Sequence, residues 1–385
     1  MRASADTLGD VLREHSRESE LHDTLPDGST RCYACGHECL VKPGRFGVCR
    51  VRYSEDGVLY APFGYVAGVQ CDPIEKKPFF HAYPGARALS FGMLGCDLHC
   101  GYCQNWVTSQ ALRDPAAGIA PNVASEDAIV AAARRLGAEV VTSTYNEPLI
   151  TSEWAVSIFR AAVEHGLTCS FVSNGHATPR VLDYLEPYVR LYKVDLKTFQ
   201  DKQYRKLGGR LAPVLDTIWA LVARGIWTEV VTLTVPGYND SDEELRDIAE
   251  FVASVSPDVP WHVTAFHKDY RMTDPANTDV GTLLRAWEIG KSAGLRYVYA
   301  GNLPGSVGDT ESTFCPGCDT KLIDRTGYQI RGNRMERGRC PDCGTPIAGV
   351  WREASNAVEP GAGAQSAVKS NSTPSAESRS SRSSL

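Results

Sequence analysis

The stretch GCDLHCGYCQN, residues 95–105, sets Cys96, Cys100 and Cys103 in one short loop, separated by three residues and then by two. It follows directly on ALSFGML (88–94), an apolar, β-prone run read as a strand. Structural metal sites close with four ligands, whereas reactive ones keep a position open. Three thiolates can hold three irons of a [4Fe–4S] cube and leave the fourth iron without a protein ligand. The same residues also fit a zinc site completed by His99 or a distant side chain, or buried thiols with no metal. The missing fourth cysteine is the question that the rest of the chain has to answer.

Downstream, strand-like segments alternate with helical ones. EVVTSTYN (139–146), TCSFVSN (168–174), RLYKVDL (190–196), TEVVTLTVP (228–236), WHVTAF (261–266) and RYVYAG (296–301) are rich in β-branched and aromatic residues. The stretches between them carry helix punctuation. Ser125 caps a helix with Glu126 and Asp127 in its first turn and Gly137 past its end. Ser241 with Glu244 reads as a capping box ahead of Leu245, Ile248 and Val252. Strand then helix, repeated about six times, predicts parallel strands joined by crossover helices. The fold class is α/β, a full or partial barrel, with a doubly wound open sheet as the alternative. In either, ligands gather at the C-terminal ends of strands. The triplet, NEP (146–148), SNG (173–175), DLK (195–197) and VPG (235–237) are therefore expected to ring one mouth.

The chain has 385 residues, 43% hydrophobic, enough for a sizeable core. Its formal net charge of −6 argues against nucleic acid or an anionic membrane as a dedicated partner. No apolar run is long enough to span a bilayer, and MRASADTLGDVLREHSRESE lacks the apolar stretch of a signal peptide, so a cytoplasmic protein is expected. In that reducing setting the thirteen cysteines, Cys71 and Cys169 apart, read as three groups of metal ligands rather than disulfides.

The expected organisation is a polar N-terminal segment (1–29), a cysteine-rich module (30–87), the barrel (88–311), a second small module (312–352) and a disordered tail (353–385) without aromatic residues. CPGC (315–318) and CPDC (340–343) form two knuckles about a strand-rich spacer. That is the pattern of a zinc ribbon closed by Cys315, Cys318, Cys340 and Cys343, with a rubredoxin-like iron site as the alternative. CYACGHECLVKPGRFGVC (32–49) makes a knuckle of Cys32 and Cys35, with Cys39 and Cys49 to complete a tetrathiolate. It reads as zinc or as an auxiliary iron–sulfur cluster, and His37 either replaces a ligand or sits in an exposed turn. In CDPIEKKPFFHAYPG (71–85), Lys76 and Lys77 read as a solvated loop over Phe79, Phe80 and Tyr83.

The triplet resembles the CxxxCxxC loop of the radical SAM family, which follows the first barrel strand and has an aromatic residue, here Tyr102, before its third cysteine. The succession PGRFGVCRVR, DPIEKKP, triplet loop, TYNEP, YAGNLPG and C-terminal knuckles resembles the radical SAM proteins of the AmmeMemoRadiSam system, relatives of pyruvate formate-lyase activating enzyme, over about residues 30–352. The resemblance implies a partial (β/α)6 barrel and a [4Fe–4S] cluster on Cys96, Cys100 and Cys103, whose open iron is chelated by S-adenosylmethionine. Reductive cleavage would then give a 5′-deoxyadenosyl radical that takes hydrogen from a protein or small-molecule substrate. A low-potential electron donor such as flavodoxin or ferredoxin is implied as a partner.

Further positions match with the same family. Asn146 and Glu147 stand where the methionine amino group is held, and Ser173 and Asn174 where the ribose or carboxylate lies. Asp195 and Lys197 resemble the DLK strand end of activating enzymes, and Val235 their adenine contact. Ordinary turn chemistry stays open for each, because Asn-Gly and Pro-Gly pairs mark turns anywhere. Pyruvate formate-lyase activating enzyme lacks both flanking cysteine modules, so making a glycyl radical on a partner is not carried over. The alternative function is a multi-zinc interaction scaffold without redox activity, which leaves the ordered strand-end motifs unexplained.

Overall fold

In the computed structural model, which describes residues 7–352, one eight-stranded sheet carries the chain from edge to edge in sequence order. Its strands are β1 (Gly68–Pro73), β2 (Arg87–Gly92), β3 (Val140–Ser143), β4 (Thr168–Ser173), β5 (Val189–Asp195), β6 (Trp227–Thr234), β7 (Trp261–Ala265) and β8 (Val298–Gly301). β1 runs antiparallel to β2, and every later pairing is parallel. A sheet whose order never reverses has no switch point, which removes the doubly wound alternative. β1 and β8 remain as edges, so the barrel is partial.

The main crossover helices between the parallel strands are α1 (Glu126–Arg135), α2 (Ser152–Glu164), α3 (Pro179–Leu185), α4 (Leu211–Ala223), α5 (Asp242–Val255) and α6 (Val280–Ser292). Strand side chains alternate between the helices and the barrel interior. Phe91 and Phe171 turn outward to Phe159 of α2, at ring separations of 6.1 and 5.7 Å. Thr142 and Ser170 are register partners on adjacent strands, joined by a 2.7 Å hydroxyl hydrogen bond. The Ser125 cap forms as expected. The Ser241 cap also forms, but Glu244 does not close a box. Its carboxylate instead accepts from Thr198 Oγ1, Phe199 N and Gln200 Nε2 at 2.5–2.6 Å, tying α5 to the loop after β5.

The segment after β1 stoppers the N-terminal end of the barrel. Ile74, Phe79, Ala82 and Ala86 pack on Ala88, Val140 and Leu191. This corrects the reading of Lys77 as solvated: its side chain is only 4% exposed and donates to Asp72 Oδ2 at 3.2 Å and to the Tyr145 hydroxyl at 3.0 Å. Lys76 does stay at the surface.

The polar N-terminal segment also carries more core than its composition suggests. It forms a helix (Leu8–Glu14) and short strands (Ser16–Glu18 and His22–Thr24), with Leu12 and Leu21 buried. Arg52 and Glu153, both buried, join the cysteine-rich module to α2 as an ion pair. At the other end a three-stranded antiparallel sheet, β9 (Thr313–Phe314), β10 (Lys321–Thr326) and β11 (Gln329–Asn333), carries the knuckles. Leu322 and Ile323 of that sheet, with Ile347 beyond it, pack against Phe80, Tyr297 and Tyr299. Residues 7–352 are one compact unit; the tail expected at 353–385 lies outside the described residues. No helix among the described residues is long and apolar enough to cross a membrane.

Candidate functional site

The triplet loop leaves β2 at Gly92 and folds over the C-terminal mouth of the sheet. Cys96, Cys100 and Cys103 join Leu98, Tyr102, Leu207, Val235 and Phe266 in one apolar cluster, with Tyr238 set edge-on to Tyr102 at 5.9 Å. Backbone and hydroxyl donors already face the sulfurs. Leu98 N–H donates to Cys96 Sγ at 3.3 Å, and Ser109 Oγ lies 3.1 Å from Cys103 Sγ. Burial pushes all three thiols up, Cys100 to about 12, so only a strongly bound metal would strip their protons. His99 is exposed, with its imidazole over Gly208.

The strand-end motifs arrive at the same mouth, one after each of β3, β4, β5 and β6. Asn146 and Glu147 follow β3, Ser173 ends β4 with Asn174 after it, Asp195 ends β5, and Val235 follows β6. Asn146 Oδ1 accepts from Met93 N at 2.9 Å, holding the exit of β2 to that of β3. Glu147 accepts from Ser173 Oγ at 2.7 Å, Asn174 N at 2.8 Å and Leu149 N at 3.1 Å. Burial, then repulsion from Asp97, outweigh those donors and push Glu147 up to about 8. Asp195 sits between Lys193 and Lys197. Burial opposes its charge, but the two ammonium groups hold its carboxyl at about 2. Lys197 is raised in turn: burial disfavours its charge, but Asp195 together with Cys100, Tyr102 and Tyr204 outweighs it. Val235 is fully buried beside Tyr102, its N–H bonded to Asn239 Oδ1 at 2.7 Å.

The two flanking cysteine groups differ in geometry. Cys315 Sγ lies 3.5 Å from Cys343 Sγ, and Cys318 Sγ lies 3.6 Å from Cys340 Sγ. Four thiolates at about 2.3 Å from one tetrahedral ion would stand about 3.8 Å apart, so this set fits a single closed site. Hydrogen bonding from Thr345 holds the Cys343 thiol down at about 6. Cys32, Cys35 and Cys49 are buried and Cys39 is half-buried. His37 is half-buried, not exposed, and its Nε2 lies 3.2 Å from the Asp97 carbonyl. Cys169 is a fully buried strand thiol, and Cys71 lies on β1.

Sequence reasoning passed over Asp97 and His176. Asp97, buried between two cysteines of the triplet loop, accepts from Asn174 Nδ2 at 2.7 Å and pairs with His176 Nδ1 at 3.1 Å. Burial opposes its charge, yet His176, His37 and the Asn174 hydrogen bond together keep its carboxyl low. An aspartate inside the cysteine spacing was the available signal. Nothing local marked His176 as its partner.

Residues 92–252 match the family model of the radical SAM superfamily. An uncharacterized protein of Methanocaldococcus jannaschii is 36% identical over 335 residues, covering 86% of this chain and 98% of its own length. A pyruvate formate-lyase-activating enzyme of Staphylococcus aureus is 28% identical over 207 residues, 48% of this chain and 78% of that one. Among solved structures, a domain of a pyruvate-formate lyase-activating enzyme from Bacteroides vulgatus aligns at 18% identity, covering 42% of this chain and 98% of its own, with a TM-score of 0.38. SuiB of Streptococcus suis bound to S-adenosylmethionine aligns at 16% identity over 57% of this chain and 51% of its own, with a TM-score of 0.44.

Proposed function

Because the chain belongs to the radical SAM superfamily, whose members carry out radical chemistry dependent on S-adenosylmethionine, we propose that Cys96, Cys100 and Cys103 hold a [4Fe–4S] cluster with one open iron. When bound, the cluster and S-adenosylmethionine supply one-electron cleavage of the sulfonium and a 5′-deoxyadenosyl radical for hydrogen abstraction. The observation that carries the reading is the position of the triplet: three thiols and no fourth in one apolar cluster, over the ends of parallel strands that bring in the other motif residues.

The chain's own groups would do the positioning. Asn146 and Glu147 would hold the amino group of the methionine moiety, and Glu147 also joins two strand ends through Ser173 and Asn174. Asp195 and Lys197 form the polar wall, and Val235 with Tyr102 the apolar one, which limits water beside a reactive intermediate. The substrate is a protein or a small molecule. The name of the staphylococcal relative, an enzyme that activates another enzyme, favours a protein. A flavodoxin- or ferredoxin-type donor would supply the electron, in the cytoplasm, where the thirteen cysteines stay out of disulfides, as they are here. Zinc is the metal proposed for the C-terminal tetrathiolate.

The test is 5′-deoxyadenosine release by anaerobically purified protein on reduction with dithionite. Brown protein that releases it, and Cys100→Ala protein that is bleached and silent, are the expected results. A Cys100→Ala variant that retains its iron and its turnover would overturn the reading. A colourless wild-type protein holding zinc and no iron would favour the scaffold instead.

A further inference from the structure

The four C-terminal thiols converge on one point unaided, but the four N-terminal ones do not form such a group among the described residues. Cys35 instead has close ligand-type neighbours from outside its module. Its sulfur, a carboxylate oxygen of Asp97 and an imidazole nitrogen of His176 lie within 4.8 Å of one another, and all three residues are buried.

The His176 ring is held as a metal ligand is held. Its Nδ1 faces the Asp97 carboxylate at 3.1 Å, while Nε2 is buried without any hydrogen-bond partner. A buried ring nitrogen left unpaired is costly, so the arrangement wants an occupant. Carboxylate–imidazole pairs with the far nitrogen free are the usual support of a metal-bound histidine. The free edge faces the cysteine-rich module: a Cβ on Gly36 would meet His176 Nε2 at 3.1 Å, and Gly36 N–H donates to the His176 carbonyl at 2.7 Å. Only glycine lets the knuckle lie so close to the ring.

We propose that His176 Nε2 and Cys35 Sγ are ligands of one zinc ion, with the remaining positions filled from Cys32, Cys39 and Cys49 and Asp97 fixing the ring. Thiolate with imidazole in a tetrahedral shell is a donor set that suits zinc. The centre is then shared between the cysteine-rich module and the end of β4. Asp97, next in sequence to Cys96, places it against the triplet loop without making it part of that site.

The experiment uses full-length protein carrying Cys100→Ala and Cys340→Ser, which removes the other two metal sites. Zinc-edge X-ray absorption should show sulfur at about 2.3 Å together with one nitrogen at about 2.0–2.1 Å. A shell of sulfur alone, or bound iron with labile sulfide, would overturn the proposal. In the otherwise unaltered chain, His176→Ala should lose one of two zinc ions and keep the C-terminal one, which reports an intact fold. Retention of both would overturn the assignment whether or not the triplet proves to hold its cluster.

Discussion

Gly95 precedes the first cysteine of the triplet with φ at +95°, and a Cβ there would lie 2.7 Å from Val51 Cγ1 and 3.3 Å from Ile150 Cδ1. Its N–H donates to Thr108 O at 3.0 Å, and its carbonyl accepts from Glu147 N at 3.3 Å. Gly95→Ala therefore combines left-handed strain with overpacking. It is expected to cost about 1–3 kcal/mol in urea unfolding and to lower the iron recovered with the purified protein. At this scale the cysteines were plain in the sequence, because spacing alone brings them together in one loop. The work of Glu147 was not: its partners Ser173 and Asn174 come from the next strand, and burial in that junction sets its pKa. Lys77 is the sharper lesson. Beside Lys76 it looks equally wet, but the turn of chain after β1 points one ammonium outward and buries the other against Tyr145.

Between elements, the chain joins distant parts through buried polar chains. Arg52 pairs with Glu153 of α2 and also donates to Ile150 O at 2.8 Å and Ser19 Oγ at 2.9 Å. Glu153→Gln or Arg52→Met should each cost about 3–5 kcal/mol by leaving one buried charge unmatched, and the Arg52→Met/Glu153→Leu double variant should cost less than the sum, as read from urea midpoints. A second chain crosses the stoppered end of the barrel. Arg325 donates to Thr313 Oγ1 at 2.6 Å, Thr313 and Tyr299 share a 2.8 Å hydroxyl bond, and Tyr299 meets His81 Nε2 at 2.5 Å. His81 Nδ1 then donates to the Ala348 carbonyl at 2.7 Å. Burial lowers His81 to about 4, so it stays neutral in the fold while the unfolded chain begins to bind a proton near pH 6.5. Stability from this site is whole above about pH 6.5 and is lost as pH falls toward 4, on the order of 3 kcal/mol in all. His81→Gln should flatten the dependence of the unfolding midpoint over that window. An unchanged slope would show that His81 is not the group responsible. Helix caps and strands were largely legible from local composition. The destination of Glu244 was not, since a side chain able to close its own box found three donors on another loop.

Across the whole molecule, the two cysteine modules bracket the barrel from opposite sides of the chain and pack on it. Cys315 and Cys340 lie in the same apolar cluster as Phe80, Tyr297 and Tyr299, so a metal held by the C-terminal cysteines would support both their own small sheet and that contact. Cys343→Ser should lose one zinc ion and make residues 312–352 sensitive to protease, while residues before them stay protected and the iron content is unchanged. Protection of the C-terminal segment in the metal-free variant would mean that packing alone holds it.

The sequence by itself determined the kinds of parts: three thiols in one loop, two knuckled modules, and strands and helices in alternation. Each of those is written in spacing and periodicity over a few neighbouring residues. Only the tertiary structure decided that the sheet keeps its order without reversing, that Lys77 turns inward, and that Asp97 meets His176 beside Cys35. These depend on contacts between residues far apart in the chain, where burial and the pairing of polar groups, not local preference, set the energy.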